Sequence, residues 1–138
     1  MSEIYKKVVI VDENDNVIGA EHLIVAIKNK CIRRASLVFV FNQSGQLLIQ
    51  RRSKAVFKPL LLDSSAAGHV DERETYVCAA ERELYEELGI KDFALKEIMV
   101  PLRTSDHFSG VFKVIVPDSV QINFSTDEVD SVTWYSLS

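Results

Sequence analysis

Cysteine is scarce in this chain of 138 residues: the only two, Cys31 and Cys78, lie far apart in the sequence. They match no spacing of a paired metal site, so we expect neither such a site nor a disulfide framework, and we predict a reduced, cytoplasmic setting. Long apolar runs are also missing, which argues against a signal peptide and against contact with a membrane. The net charge of −4 gives no reason to expect binding of nucleic acid.

Acidic residues are absent from one long stretch of the chain, between His22 and Leu62. That stretch holds half of the 16 positive residues, namely Lys28, Lys30, Arg33, Arg34, Arg51, Arg52, Lys54 and Lys58. The segregation fits a site in which cations grip an anionic ligand opposite metal-binding acids. It fits equally a solvated basic face that binds nothing, so charge alone leaves both interpretations open.

The order of apolar and turn-forming segments predicts a mixed fold. Strands are indicated over residues 7–11, 17–20, 35–41, 46–50, 94–101, 111–116 and 131–135. A turn at residues 12–16 would join the first two as a hairpin, and residues 22–30 favour a short helix. Many strands around one long helix, without strict alternation, are typical of the α+β class with a mixed or antiparallel sheet. The length fits one domain, residues 1–138.

The segment from Thr75 to Leu88 predicts the long helix. Its apolar residues recur on one side at helical spacing: Val77, Ala80, Leu84 and Leu88. Thr75 is a suitable N-cap, with Asp71 as the alternative, and Gly89 would end the helix. The helix therefore has defined ends, and its register fixes which side chains share a face.

Three carboxylates crowd together on this helix. With about 100° between successive residues, Glu83, Glu86 and Glu87 share one arc of about 100° beside the apolar side. Like charges at these spacings repel each other by about 0.2–0.5 kcal/mol per pair. A shared cation would reverse that sign, and Mg²⁺ is suitable because it takes hard oxygen ligands and is completed by water and substrate phosphates. Taken alone, the pattern is more typical of a solvated acidic face.

The residues around these acids carry a specific resemblance. The pattern is Gly68, then five residues, Glu74, then seven residues, and then the run from Arg82 to Ile90, which contains Arg82-Glu83, Glu86-Glu87 and Gly89. These residues match the Nudix box at its fixed positions. On this resemblance the chain is identified as a member of the Nudix superfamily. The resemblance implies a mixed β-sheet, sandwiched, with a central catalytic loop–helix–loop. It also implies an enzyme that uses Mg²⁺, or Mn²⁺ in its place, to cleave a small-molecule diphosphate.

The same resemblance implies a role for each matching position. The metal ligands would be Glu83, Glu86, Glu87 and the backbone carbonyl of Ala67. Glu83 would alternatively orient or deprotonate water, and Gly68 would let the backbone approach closely. Arg82 would pair with Glu74 and hold the loop against the helix.

A wider resemblance, over most of residues 8–135, is to the isopentenyl-diphosphate isomerase branch. It rests on residues 11–21, the apolar run after Arg34-Ala35, residues 47–53 and the step Gly68-His69. Those isomerases place a catalytic cysteine just before that step, where this chain has Ala66-Ala67. Without a thiol there is no evident acid or base for moving a double bond. Hydrolysis is therefore expected, with isomerisation and a non-catalytic binding module as the alternatives.

Further site residues are expected outside the box. Arg51 and Arg52 end a strand and point to opposite faces, so one of them is suited to grip a phosphate bidentately and the other is expected to be solvated. Arg51 is preferred, Lys58 is a second cation, and His69 follows from the isomerase parallel. A second acid is expected among Asp106, Asp127, Glu128 and Asp130. Glu128 is favoured because it lies just ahead of the last predicted strand, as in many relatives. His107 is expected to be a surface residue.

Family members usually continue past the last strand into a C-terminal helix, whereas this chain stops at Ser138. The expectation is that this wall of the pocket is missing or is contributed by the second subunit of a homodimer. The expected substrate is a nucleoside di- or triphosphate or another X-linked diphosphate, and no residue pattern identifies which.

Overall fold

The computed structural model describes residues 6–54, 56 and 60–137, which form one mixed nine-stranded β-sheet and two α-helices. The strands are β1 (Lys7–Val11), β2 (Val17–His22), β3 (Arg33–Asn42), β4 (Leu47–Arg52), β5 (Leu62–Asp63), β6 (Ala66–His69), β7 (Lys96–Thr104), β8 (His107–Val116) and β9 (Val129–Tyr135). The helices are α1 (Leu23–Lys28) and α2 (Tyr76–Leu88). The predicted α+β class is confirmed.

Strand β3 is the centre of the sheet. It pairs in parallel with β8 along its whole length, from Arg33 opposite His107 to Asn42 opposite Val116. Its other edge is shared by three antiparallel partners: β1 near the start, β6 in the middle and β4 at the end. Strand β7 extends the sheet beyond β8, and β5 and β9 flank β4. Strands β6 and β4 therefore follow one another along the same edge of β3.

Both ends of α2 agree with the sequence prediction. Thr75 is the N-cap, and its hydroxyl accepts a hydrogen bond from the backbone N–H of Cys78 at 3.2 Å. Gly89 ends the helix in the left-handed conformation, with φ of 70°, and its N–H donates to the carbonyl of Tyr85. A polar cap and a terminal glycine stabilise both ends of this helix.

The buried face of α2 differs in part from the predicted apolar side. The prediction is confirmed for three residues: Ala80, Leu84 and Leu88. It is wrong for Val77, which is 38% exposed. The buried face is rotated toward Glu83 and Glu87, so Val77 lies at its margin.

The two helices pack on opposite faces of β1. Val9 and Val11 face α2, in a cluster with Val70, Ala79 and Phe108. Val8 and Ile10 alternate with them and pack against Leu23 and Ala26 of α1. The largest cluster lies between α2 and strands β3, β4 and β8.

The other predicted elements are present with shifted ends. The short helix expected within residues 22–30 is α1. Strand β7 continues past Pro101 to Thr104, and β8 begins at His107, before the predicted start. Among the described residues, no helix combines the length and the apolar character that crossing a membrane requires.

Candidate active site

Two glutamates of α2 are buried against β6. Glu83 is 4% exposed and Glu87 is 6% exposed. The approach depends on Gly68 of β6, because a Cβ added there would lie 2.3 Å from Cδ and Oε1 of Glu83. The Glu83 side chain thus leaves no room for a Cβ at position 68. This agrees with the close backbone approach at Gly68 that the resemblance implied.

Glu87 is held by two neutral hydrogen-bond donors. The side-chain amide of Gln50 on β4 donates to Oε1 at 2.7 Å, and the backbone N–H of Ala67 on β6 donates to Oε2 at 3.2 Å. Gln50 is 2% exposed and also donates to the carbonyl of Ser65 at 3.0 Å. The orientation of this carboxyl group is therefore set by two strands.

A third acid reaches the site from the segment just before β9. One carboxylate oxygen from each of Glu83, Glu87 and Glu128 lies within 4.8 Å of the others. Glu128 is exposed, but its backbone is fixed by Ser53, whose N–H donates to the Glu128 carbonyl at 3.1 Å. The Ser53 hydroxyl donates to the carbonyl of Asp127 at 2.8 Å. The acid that the sequence favoured thus lies beside the helix acids.

Glu86 lies apart from this cluster. Its side chain is 48% exposed and contacts Nη1 of Arg82 at 3.2 Å. The sheet covers the Glu87 side of the acidic arc, so Glu86, at the opposite margin, faces solvent. The helix alone predicted a cluster of Glu83, Glu86 and Glu87. In the structure the clustered acids are Glu83, Glu87 and Glu128.

Arg82 links the helix to the loop that precedes it. Its guanidinium donates to both carboxylate oxygens of Glu74, at 2.8 and 2.9 Å, as expected, and to Oε1 of Glu83 at 2.6 Å. It also donates to the backbone carbonyl of His69 at 3.0 Å. Burial disfavours its charge, but the hydrogen bond to Glu74 and the charge of Glu83 outweigh burial and raise the pKa of Arg82.

The buried carboxyl pair is electrostatically strained. Burial raises the pKa of Glu83 and of Glu87 above the ordinary carboxyl range. For Glu87, the hydrogen bond and charge of Glu83 raise the pKa further, while the donors Gln50 and Ala67 offset part of the rise. Two carboxylates in one buried site cannot both be ionised cheaply unless a cation lies between them.

The donor set suits a divalent metal ion. Carboxylate oxygens are the hard ligands that Mg²⁺ prefers, and two oxygens on opposite sides of one Mg²⁺ are about 4.2 Å apart. The 4.8 Å spread of Glu83, Glu87 and Glu128 is slightly wider than that. A small side-chain rotation would close the difference, so these residues fit the ion.

Comparison with known proteins decides the family. A family model described as the NUDIX domain matches residues 32–138. The chain belongs to the Nudix family. An uncharacterized Nudix hydrolase of Pseudomonas aeruginosa is 42% identical over 89 residues, covering 63% of this chain and 52% of that protein. An isopentenyl-diphosphate Delta-isomerase I of Camptotheca acuminata is 38% identical over 158 residues, covering 93% of this chain and 66% of that protein.

Solved structures agree with the Nudix fold. A Deinococcus radiodurans structure superposes with a TM-score of 0.78 at 24% identity, covering 95% of this chain and 83% of the other. An Ap4A hydrolase from C. elegans gives a TM-score of 0.62 at 18% identity, covering 77% and 81%. At these identities the likeness shows the fold alone. The chain spans about half the length of relatives such as the Pseudomonas protein, at 52%.

Within the Nudix box, His69 contacts His107, a residue that the sequence predicted to be at the surface. Its Nε2 lies 3.2 Å from Nε2 of His107, across β3. The prediction for His107 is wrong, because the ring is half-buried where β8 runs beside the start of β3. Burial and the charge of Arg33 lower the pKa of His107. His69 itself is next to Gly68, at the edge of the carboxylate site.

The cations expected to face the Nudix acids are mostly engaged elsewhere. Arg51 is exposed and donates to the carbonyl of Leu60 at 3.2 Å. Arg33 is buried and donates to the carbonyls of Ala26 and Cys31 near the end of α1. Lys58 lies outside the described residues. The phosphate-binding roles of Arg51 and Lys58 stay predictions.

The sequence patterns do not predict two further residues at this Nudix site. Gln50 lies within β4, Ser53 directly follows that strand, and both are buried. One signal was present for Gln50: it is a polar residue two positions after Leu48, on the buried face of a strand. Ser53 gave no such signal, because its partners lie more than 70 positions away.

Proposed function

We propose that this Nudix protein is a Mg²⁺-dependent hydrolase that cleaves the diphosphate linkage of a nucleoside di- or triphosphate or of another X-linked diphosphate. The observation that carries the proposal is the cluster of Glu83, Glu87 and Glu128, with carboxylate oxygens within 4.8 Å of one another. Its buried members need a cation, and the negative oxygens of a diphosphate are natural further ligands of Mg²⁺.

The proposed division of labour follows from position. Glu83 and Glu87 would hold the metal ion from the helix, and Glu86 at the rim and the carbonyl of Ala67 on β6 would serve as further ligands. Bound Mg²⁺ would neutralise charge on the diphosphate and acidify a coordinated water. Arg82 keeps Glu83 in place through their 2.6 Å contact.

Glu128 is the proposed general base. It is the exposed member of the cluster, so it can accept a proton from the attacking water and return it to solvent after turnover. Its backbone is fixed by Ser53, which keeps the carboxylate at the site. Glu83 is the alternative base that the motif leaves open.

The phosphate groups are proposed to meet residues around the mouth of the site. Gly68 lies against the Glu83 side chain, His69 adjoins it, and Arg51 at the end of β4 is exposed. Lys58 is proposed as a second cation from its position in the sequence. A guanidinium binds two phosphate oxygens at once, which makes Arg51 the stronger candidate.

A substrate panel tests the hydrolase proposal. Nucleoside triphosphates, nucleoside diphosphates, dinucleoside polyphosphates and nucleotide sugars are incubated with the protein, and released phosphate is measured after treatment with a phosphatase where needed. The expected result is turnover of at least one class with Mg²⁺ or Mn²⁺ and none with EDTA. No turnover of any class with either ion would overturn the proposal.

A pair of variants tests the general base. Glu128→Gln should lower kcat by about 100-fold or more, because a positioned base typically contributes that much. Asp130→Asn is the matched control, an exposed acid two residues further along, and should leave kcat within twofold. Equal kcat values for Glu128→Gln and the wild type would assign the base elsewhere.

Isomerisation is the second candidate function, favoured by the likeness to the Camptotheca isomerase over 93% of this chain. Incubation with isopentenyl diphosphate and Mg²⁺, followed by separation of the products, distinguishes it from hydrolysis. No dimethylallyl diphosphate is expected, because Ala66 and Ala67 offer no thiol. Its formation at a catalytic rate would replace the hydrolase proposal by the isomerase.

A further inference from the structure

We propose that Gln50 is a positioning residue for the metal site: its side-chain amide fixes the direction in which the Glu87 carboxylate faces Glu83 and Glu128. The inference rests on the proposed Mg²⁺-dependent function and deepens it. Gln50 lies outside the Nudix box, 37 positions before Glu87 in the sequence. It would act through Glu87, without touching the ion or the substrate.

Gln50 has little freedom to move. It lies within β4 and is paired on both sides, with Asp63 of β5 and with Val132 of β9. Only 2% of its surface is exposed. Its backbone is therefore fixed between two neighbouring strands, and its side chain points into the packed space between the sheet and α2.

The amide of Gln50 can take only one orientation. Its nitrogen donates one hydrogen bond to the carbonyl of Ser65 at 3.0 Å and one to Oε1 of Glu87 at 2.7 Å. A flipped amide would place its oxygen against two acceptors, which is unfavourable in a buried site. Ser65 is itself fixed, because its hydroxyl accepts from the backbone N–H of Val40 at 2.8 Å.

These contacts determine how Glu87 presents its oxygens. Oε1 accepts from Gln50, and Oε2 accepts from the N–H of Ala67 at 3.2 Å. One donor on each oxygen fixes the carboxyl plane and leaves the remaining lone pairs for the side of Glu83 and Glu128. If the Gln50 donor were removed and Ala67 alone remained of these two, the carboxyl group would rotate about its terminal torsion, which has broad minima.

A buried amide at this position would be unfavourable if packing were its only task. Methionine or leucine has a similar volume and would fill the space without burying polar atoms. The amide is compensated only because it satisfies two acceptors. Hydrogen-bond partners behind a metal ligand typically contribute 10–100-fold in metal affinity.

The test measures Mn²⁺ binding rather than turnover. Gln50→Met and Gln50→Leu keep the volume and remove both donors. Mn²⁺ is titrated into each protein, and the free ion is followed by electron paramagnetic resonance. The Kd should rise by about tenfold or more, while circular dichroism and thermal unfolding report that the proteins are folded. A purely structural role would lower the melting temperature and leave the Kd unchanged.

Gln46→Leu is the matched control. Gln46 is half-buried just before β4, and its side-chain oxygen accepts from Nδ2 of Asn42 at 2.9 Å, away from the acids. The same substitution there should leave the Mn²⁺ Kd within twofold of the wild-type value. A loss of affinity equal to that of the Gln50 variants would mean that the effect is not specific to Gln50, and the inference would be wrong.

The outcomes separate this inference from the proposed function. If the wild type binds Mn²⁺ and folded Gln50 variants bind it equally well, the role of Gln50 is refuted and the hydrolase proposal stands. If the wild type binds no Mn²⁺ or Mg²⁺, with or without inorganic diphosphate, both fail. Should neither Gln50 variant fold, the side-chain amide resonance of Gln50 in the wild type is followed by NMR during Mg²⁺ addition. It should shift at saturation, and an unchanged resonance overturns the inference.

Discussion

At the scale of single residues, the site depends on two buried carboxyl groups that disfavour each other. Glu83 and Glu87 stand four positions apart on α2, and each is less than 10% exposed. Burial is the main cause of the raised pKa of Glu87, and Glu83 adds to it. Such an arrangement lowers the stability of the metal-free fold and makes the site ready for a cation.

Replacing one of these acids by its amide should change stability and activity in opposite directions. Glu87→Gln keeps the shape of the side chain and removes its charge. We expect Mg²⁺-dependent turnover to fall by at least about 100-fold, and the metal-free protein to melt at a higher temperature. The control is Glu81→Gln on the exposed side of the same helix, which should change neither. Full turnover in Glu87→Gln would remove the metal-ligand role.

At the scale of elements, the site is the contact between α2 and β6 together with the loop that joins them. Gly68 allows the helix acids to approach the strand, and Arg82 fastens the loop through Glu74, Asp71 and the His69 carbonyl. The loop and the helix therefore form one unit. A change at either contact should affect the geometry of Glu83.

Gly68→Ala tests the close approach. The new Cβ would lie 2.3 Å from Cδ of Glu83, so that side chain must move. We expect Mn²⁺ affinity to fall at least about tenfold and the free energy of unfolding to fall by about 1–3 kcal/mol. Gly19→Ala is the control, since nothing lies within 4 Å of its added Cβ. Calorimetric titration and urea denaturation measure the two effects; wild-type affinity in Gly68→Ala would contradict the steric argument.

Arg82→Lys tests the fastening of the loop. Lysine keeps the charge but cannot reach Glu74 and Glu83 with the planar fork of a guanidinium. We expect the free energy of unfolding to fall by about 2 kcal/mol, because hydrogen bonds to charged groups are lost in a half-buried network. Arg103→Lys, at an exposed arginine that donates to the Ser105 carbonyl, should change it by less than about 0.5 kcal/mol. The idea fails if urea denaturation gives equal losses for both variants.

At the scale of the whole molecule, the strained carboxyl pair couples folding to pH and to metal. Burial raises the pKa of Glu87 from its ordinary value of 4.5 to about 10, so between these pH values the folded chain keeps a proton that the unfolded chain releases. Stability from this group is thus complete at low pH and is lost as the pH rises toward the folded pKa. A bound divalent cation would take the place of the proton and remove this dependence.

The pH dependence can be isolated by comparing two proteins. Urea denaturation of metal-free wild type and of Glu87→Gln is measured from pH 5 to pH 8. The wild type should lose stability relative to the variant as the pH rises, and saturating Mg²⁺ should reduce that slope. Parallel curves for the two metal-free proteins would show that Glu87 does not hold the excess proton.

Local sequence patterns account for the helices and strands and for the part of the site that lies on α2. The N-cap Thr75, the terminal Gly89 and the spacing of the glutamates could be read from the sequence because helix geometry depends on near neighbours. The same geometry could not show that Glu86 faces solvent, since the position of the sheet decides which side of the acidic arc is covered. The predicted burial of Val77 is wrong for the same reason.

The sequence by itself determined the α+β class, the ends of α2 and the Nudix box, because these follow from short-range patterns, and the resemblance that the box carries implied the pairing of Arg82 with Glu74. Only the tertiary structure decided that Gln50 meets Glu87, that Ser53 holds the segment of Glu128, and that His69 meets His107. The physical reason is that strand pairing and the packing of α2 on the sheet bring these residues together across 37 to 75 positions of chain, and no local periodicity encodes such a contact.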